Sequence, residues 1–141
     1  ENTDSVVRIA IPADVYVNQD DTDKLEELFR QFGIARRRAY NLIWKSKRQF
    51  QKGLADKEIT KSEIERILQR QTGLNARYVK DSIHSVKDLP SNVTFGGKRN
   101  KRRLEKGKIT KEDWRKLRNS IVISRGEKAK NGNLNMRLIL S

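Results

Sequence analysis

The chain has 141 residues, with 32 Lys and Arg against 18 Asp and Glu for a net charge of +14, 35% hydrophobic content and no cysteine. This size and apolar content predict one compact domain or two small subdomains. Disulfides and cysteine-ligated zinc are excluded in this stretch, no apolar run is long enough to cross a membrane, and the first residues do not read as the apolar core of a signal peptide. The opening Glu1-Asn2, without an initiator methionine, suggests a processed or excised fragment.

In chain order, Val6 to Ile11, stopped by Pro12, reads as a short strand that Val15 to Val17 extends past a bend. Asp23-x-x-Glu26 resembles a capping box, with Asp20, Asp21 and Thr22 as further candidate caps. Leu25, Leu28, Phe29, Phe32, Ala35, Ala39, Leu42, Ile43 and Phe50 then fall near three-and-four spacing, which predicts a long amphipathic helix kinked at Gly33 and stopped at Gly53. Thr60-x-x-Glu63 opens a second helix carrying Ile64, Ile67 and Leu68, with Gly73 past its end. Asn75 caps a third with Tyr78, Val79, Ser82, Ile83 and Val86, halted by Pro90. Val93 to Phe95 reads as a strand edge that turns at Gly96-Gly97, and Thr110-x-x-Asp113 caps a short helix bearing Trp114, Leu117 and Arg118. Ile121 to Ile123 and Leu134 to Leu140 read as paired strands. The fold class expected from this order is α+β: a small antiparallel β-barrel or sheet interrupted by a helical insert of three to four helices.

The charge is concentrated. Between Lys98 and Lys130, fourteen basic residues meet only Glu105, Glu112, Asp113 and Glu127, a local excess of +10. A second block, from Arg36-Arg37-Arg38 through Lys45, Lys47, Arg48 and Lys52, contains no acid. Like charges this close repel, and a polyanion relieves them, so phosphate-backbone binding is the expected activity. The plainer alternative is a basic surface kept for solubility.

Catalysis finds little support in the residues. His84 is the only histidine, no Cys/His pair or Ser/His/Asp set can be assembled, and the acids mostly sit at helix starts, where capping and the dipole account for them. Binding is the better match. Tyr40, Asn41, Trp44, Lys45 and Arg48 place aromatic, amide and cationic groups on one helix, able to stack on bases, read base edges and hold phosphates. Tyr40 and Trp44 read equally well as an i, i+4 core pair. Asn75, Arg77, Tyr78 and Lys80 repeat the mixture at a helix start, with a core role for Tyr78 as the alternative. In Phe95-Gly96-Gly97-Lys98-Arg99-Asn100 the glycines let the backbone approach a ligand and the cations clamp phosphates; a plain turn is the alternative, and the missing Gly-Lys-Ser/Thr argues against ATP binding.

The run Thr94 to Asn100, followed by Leu104, Lys106 to Trp114, Arg118-Asn119, Ser124 to Lys128 and Gly132 to Arg137, resembles the N-terminal half of TnpB-like proteins. These are transposon-encoded, RNA-guided DNA nucleases related to compact type V CRISPR effectors. Ala39-Tyr40-Asn41 and Leu74 to Val79 resemble the helical region of that family. The resemblance implies a wedge barrel split by a recognition domain, with residues 1–19 as the first wedge strands, 20–90 as the helical recognition insert and 91–141 as the second wedge part, a basic loop and a helix.

The resemblance further implies that Phe95, Gly96, Gly97, Lys98, Arg99, Asn100, Lys101, Arg102, Arg103, Lys106, Lys108, Arg118 and Arg125 hold guide-RNA phosphates. Arg37, Tyr40, Asn41, Trp44, Lys45, Arg48, Asn75, Arg77 and Tyr78 would face target DNA or the guide–target heteroduplex, which such proteins recognise mainly by backbone and shape. The partners implied are guide RNA and target DNA, with no membrane and no small-molecule substrate, in a prokaryotic, nucleoid-associated cytoplasmic setting.

The family's nuclease domain, its divalent metal ions and its zinc ribbon would lie C-terminal to these residues, so the chain itself is expected to be non-catalytic and without cofactor. Other readings are a stand-alone DNA-binding repressor or transposition accessory protein, a ribonucleoprotein component, and a metal-dependent nuclease.

Overall fold

The computed structural model describes residues 18–123. These form five helices: α1 (Gln19–Gln51), α2 (Lys61–Gln71), α3 (Ala76–Val86), α4 (Lys98–Glu105) and α5 (Lys111–Arg118). No strand occurs among the described residues, so the expected α+β barrel or sheet is corrected to an all-helical architecture. The strands expected at 6–11, 15–17 and 134–140 lie outside the described residues. The two expected within them are not strands. The Val93 N–H bonds to the Tyr40 hydroxyl at 3.2 Å and the Gly97 N–H to the Thr94 carbonyl at 3.0 Å, which leaves a turn where a ladder was expected. Val93 and Phe95 pack on the core from this turn, and Val122 does so from the segment after α5, between exposed Ile121 and Ile123. A β-branched and aromatic run reports burial, and here the burial is against helices.

Helix α1 has 33 residues, about 50 Å of helix. Its N-cap is Asn18, whose side chain accepts the Asp21 N–H at 2.8 Å; the expected cap Asp23 and the further candidates Asp20, Asp21 and Thr22 all lie inside the helix, Asp20 and Asp21 in its first turn. The helix runs through Gly33 without interruption. It ends where the Gly53 N–H reaches the Phe50 carbonyl and the Leu54 N–H the Gln49 carbonyl, with Gly53 at φ +73°, a Schellman closure. Small residues Ala35 and Ala39, both fully buried, let α3 lie close to α1. Helix α3 is the central element: Tyr78, Val79, Ser82, Ile83 and Val86 are buried between α1 and α2, with Asp81 also inside. Ile64 and Leu68 of α2 and Phe32 of α1 complete the core.

Helix α4 replaces the expected basic loop. Lys, Arg and Leu are good helix formers, and the segment closes with a second Schellman motif: Gly107 N–H to Leu104 carbonyl at 3.0 Å and Lys108 N–H to Arg103 carbonyl at 2.8 Å. Gly107, at φ +72°, turns the chain toward α5, which packs on α4 and begins with the expected Thr110–Asp113 capping box. Among the described residues no helix is long and apolar enough to cross a membrane.

Candidate nucleic-acid interface

The aromatic residues expected to stack on bases are mostly structural. Tyr40 is 6% exposed; its hydroxyl donates to the Pro90 carbonyl and accepts the Val93 N–H, tying the segment after α3 to the middle of α1. Phe95 meets Tyr40 edge-on at 5.4 Å between centroids and carries the Arg36 guanidinium 5.4 Å above its ring, so its ring contacts are made within the fold. Tyr78 is 9% exposed and meets Phe32 edge-on at 6.2 Å; burial first, then Asp81, pushes its hydroxyl pKa up. Trp44 is half-buried on the core with the Lys47 ammonium 4.6 Å from its ring centre. Asn75 caps α3, accepting the Tyr78 N–H at 2.9 Å, and Arg77 is half-buried in the first turn of the same helix.

The glycine pair also answers to the fold. A Cβ on Gly96, at φ +93°, would stand 2.8 Å from Trp114 Cζ3, so the close approach this glycine permits is that of the α5 indole. Gly97, at φ +91°, precedes α4 as its cap residue and offers no side-chain bond to it. Asn100 turns back to donate to the Gly96 carbonyl at 2.8 Å, with Arg103 donating to its oxygen at 3.3 Å.

Three groups of cations remain. On α4, five of the eight residues are Lys98, Arg99, Lys101, Arg102 and Arg103, followed by Lys106 and Lys108; all seven are exposed. Among the described residues none of the seven forms an ion pair, unlike Arg30 with Glu27, Lys57 with Glu63 and Lys116 with Glu112. On α1, the exposed residues Arg38, Asn41, Lys45 and Arg48 succeed one another at three- and four-residue steps, so they form one stripe. Arg38, Asn41 and Lys45 rim a shallow groove of about 310 Å³ whose apolar lining is Leu42 and Ile67.

The third group joins residues expected on separate surfaces. Arg37 of α1 donates to the Asn119 amide oxygen at 2.7 Å, just past the end of α5, and Arg118 is close enough to repel it. Burial first, then Arg118, Arg36 and Arg38, lower the Arg37 pKa to about 10. Arg36 is half-buried, donating to Ser85 Oγ at 3.0 Å, and burial lowers its pKa too. Gly33 is required here: a Cβ would fall 2.1 Å from the Asn119 Oδ1. The expected kink is thus a docking notch. Arg36 and Asn119 are additions to the sequence-based site; the Arg36–Arg38 run signals the first, and no local pattern signals the second. Arg125 lies outside the described residues.

No curated protein and no solved structure matches the chain. A family model described as the SSO2105 N-terminal domain matches residues 8–141, nearly the whole length, and the chain belongs to that family.

Proposed function

We propose that the chain is a nucleic-acid-binding module that grips phosphate backbone through α4 and the α1 stripe, and that its partner is a structured guide RNA with its DNA target. The observation that carries the reading is α4: five exposed cations on eight residues, with none of them ion-paired among the described residues. Neutralisation by phosphate with release of condensed counterions is the favourable use of such a surface. The guide-RNA assignment is the finer part. It rests on the resemblance of residues 94–137 to TnpB-like proteins, since the family description names no activity. With Tyr40, Phe95 and Tyr78 committed to packing, recognition falls to charge and shape, with base stacking in a minor role.

The test is replacement of Lys98, Arg99, Lys101, Arg102 and Arg103 together by Gln. Removing one phosphate-binding cation reduces the steepness of log K against log salt by about 1, so RNA affinity and its salt slope should both fall sharply in this variant. Unchanged affinity and slope would overturn the assignment of α4. The same reading makes the chain a binder that does not cut: labelled RNA and DNA should be recovered intact after incubation with Mg²⁺ or Mn²⁺, and cleavage would contradict it.

A further inference from the structure

At the α1–α5 junction two cations lie together with no acid paired to either, although Glu26 and Glu112 stand in the wall of the neighbouring groove beside Asn119. Arg37 and Arg118 are both half-buried, and neither is in an ion pair among the described residues. Arg118 lies 6.0 Å from the Trp114 ring centre, and its Nε is buried with no hydrogen-bond partner. A buried guanidinium N–H left unpaired is costly, and two repelling guanidinium groups add to that cost. Position 119 is where the fold could have answered both. An Asp there would accept from Arg37 and neutralise it; the chain carries Asn, whose oxygen satisfies one Arg37 donor at 2.7 Å and leaves the charge in place.

We propose that the Arg37–Arg118–Asn119 junction is a seat for a single phosphate group, whose oxygens would take the free guanidinium donors of both arginines and lock the α4–α5 hairpin onto α1. Guanidinium forks match phosphate oxygens in geometry and charge, and two from different helices make the grip dependent on the fold. The phosphate is that of a nucleic-acid backbone if the functional reading above holds, and the proposal rests on that reading for this source alone; free inorganic phosphate offers the same oxygens. This seat would differ from the exposed α4 surface in kind. Binding on α4 follows bulk charge, whereas the junction ties nucleic-acid binding to the joint between the helical hairpin and the three-helix core.

The experiment compares thermal unfolding of the full chain in about 20 mM inorganic phosphate with chloride at equal ionic strength. It uses the wild type, Asn119→Asp, Arg118→Gln and the control Lys24→Gln, an exposed α1 lysine away from the proposed seat. Wild type and Lys24→Gln should gain about 4 °C or more in phosphate over chloride. Asn119→Asp supplies the missing anion from within: its Tm in chloride should rise above wild type, and its phosphate gain should vanish. Arg118→Gln removes the repulsion and should likewise lose the phosphate gain.

A phosphate gain kept by both junction variants, or absent from wild type, would overturn the seat. Titration of a labelled single-stranded oligonucleotide separates the two claims. With the seat correct, Asn119→Asp weakens binding about tenfold, at least twice the drop in log K caused by Lys24→Gln. Phosphate gain with no oligonucleotide binding at all would leave the seat standing and sink the nucleic-acid reading; binding with a wild-type salt slope in Asn119→Asp would do the reverse.

Discussion

Tyr40 and Asn41 are neighbours with opposite fates. Buried Phe32, Ala35 and Ala39 set the inward face of α1; Tyr40 continues it, while Asn41 lies on the exposed stripe. Tyr40 therefore serves the fold: one hydroxyl bonds the Pro90 carbonyl and the Val93 N–H, two backbone groups of a segment with no ladder of its own. Tyr40→Phe keeps the ring and its packing against Phe95 but strands both groups, so we expect a loss of about 1–3 kcal/mol in chemical denaturation with nucleic-acid affinity unchanged in the folded protein. A large loss of affinity with stability intact would return Tyr40 to the binding surface. Sequence periodicity could place the helix but left this side chain between core and ligand, because the residues that use its hydroxyl lie fifty or more positions away.

Among the elements, those with strong local signals were readable: α2, α3 and α5 begin at Thr60, Asn75 and Thr110, each cap bonding a backbone N–H three residues on. Two kinds of error have separate physical causes. Val93 to Phe95 and Ile121 to Ile123 were expected as strands because β-branched and aromatic runs favour half-buried surfaces, and burial against helices leaves the same composition. Helix α4 was expected as a loop because Gly96-Gly97 and dense charge suggested an open clamp, yet Lys and Arg extend a helix readily once Gly107 closes it.

The α5 cap gives a pH prediction. The Thr110 backbone N–H first, then its hydroxyl, hold the Asp113 carboxyl below its ordinary 3.8, so the cap contributes its stability above that pH and loses it as pH falls through the lowered value. Amide exchange should show the first turn of α5 losing protection in acid, and Thr110→Ala should reproduce that fraying at neutral pH. Uniform protection of α5 under both conditions would contradict the capping role.

For the molecule as a whole, the chain has a net charge of +14, and the described residues set most of its cations on a helical core and a hairpin held at their junction by Phe95, Trp114, Arg37 and Asn119. The excess of cations was legible from composition, and its division into an exposed helix, an α1 stripe and a half-buried junction was not, since Arg37 and Asn119 meet only through the tertiary fold. The measurement to make is a fluorescence-anisotropy titration across a salt series. It compares a structured transposon-end RNA, an RNA–DNA heteroduplex, duplex DNA and an unrelated RNA of equal length. We predict binding whose log K falls linearly and steeply with log salt, with the structured RNA held at salt that releases the unrelated one. No measurable binding to any of the four, or equal binding that collapses together as salt rises, would contradict the guide-RNA function.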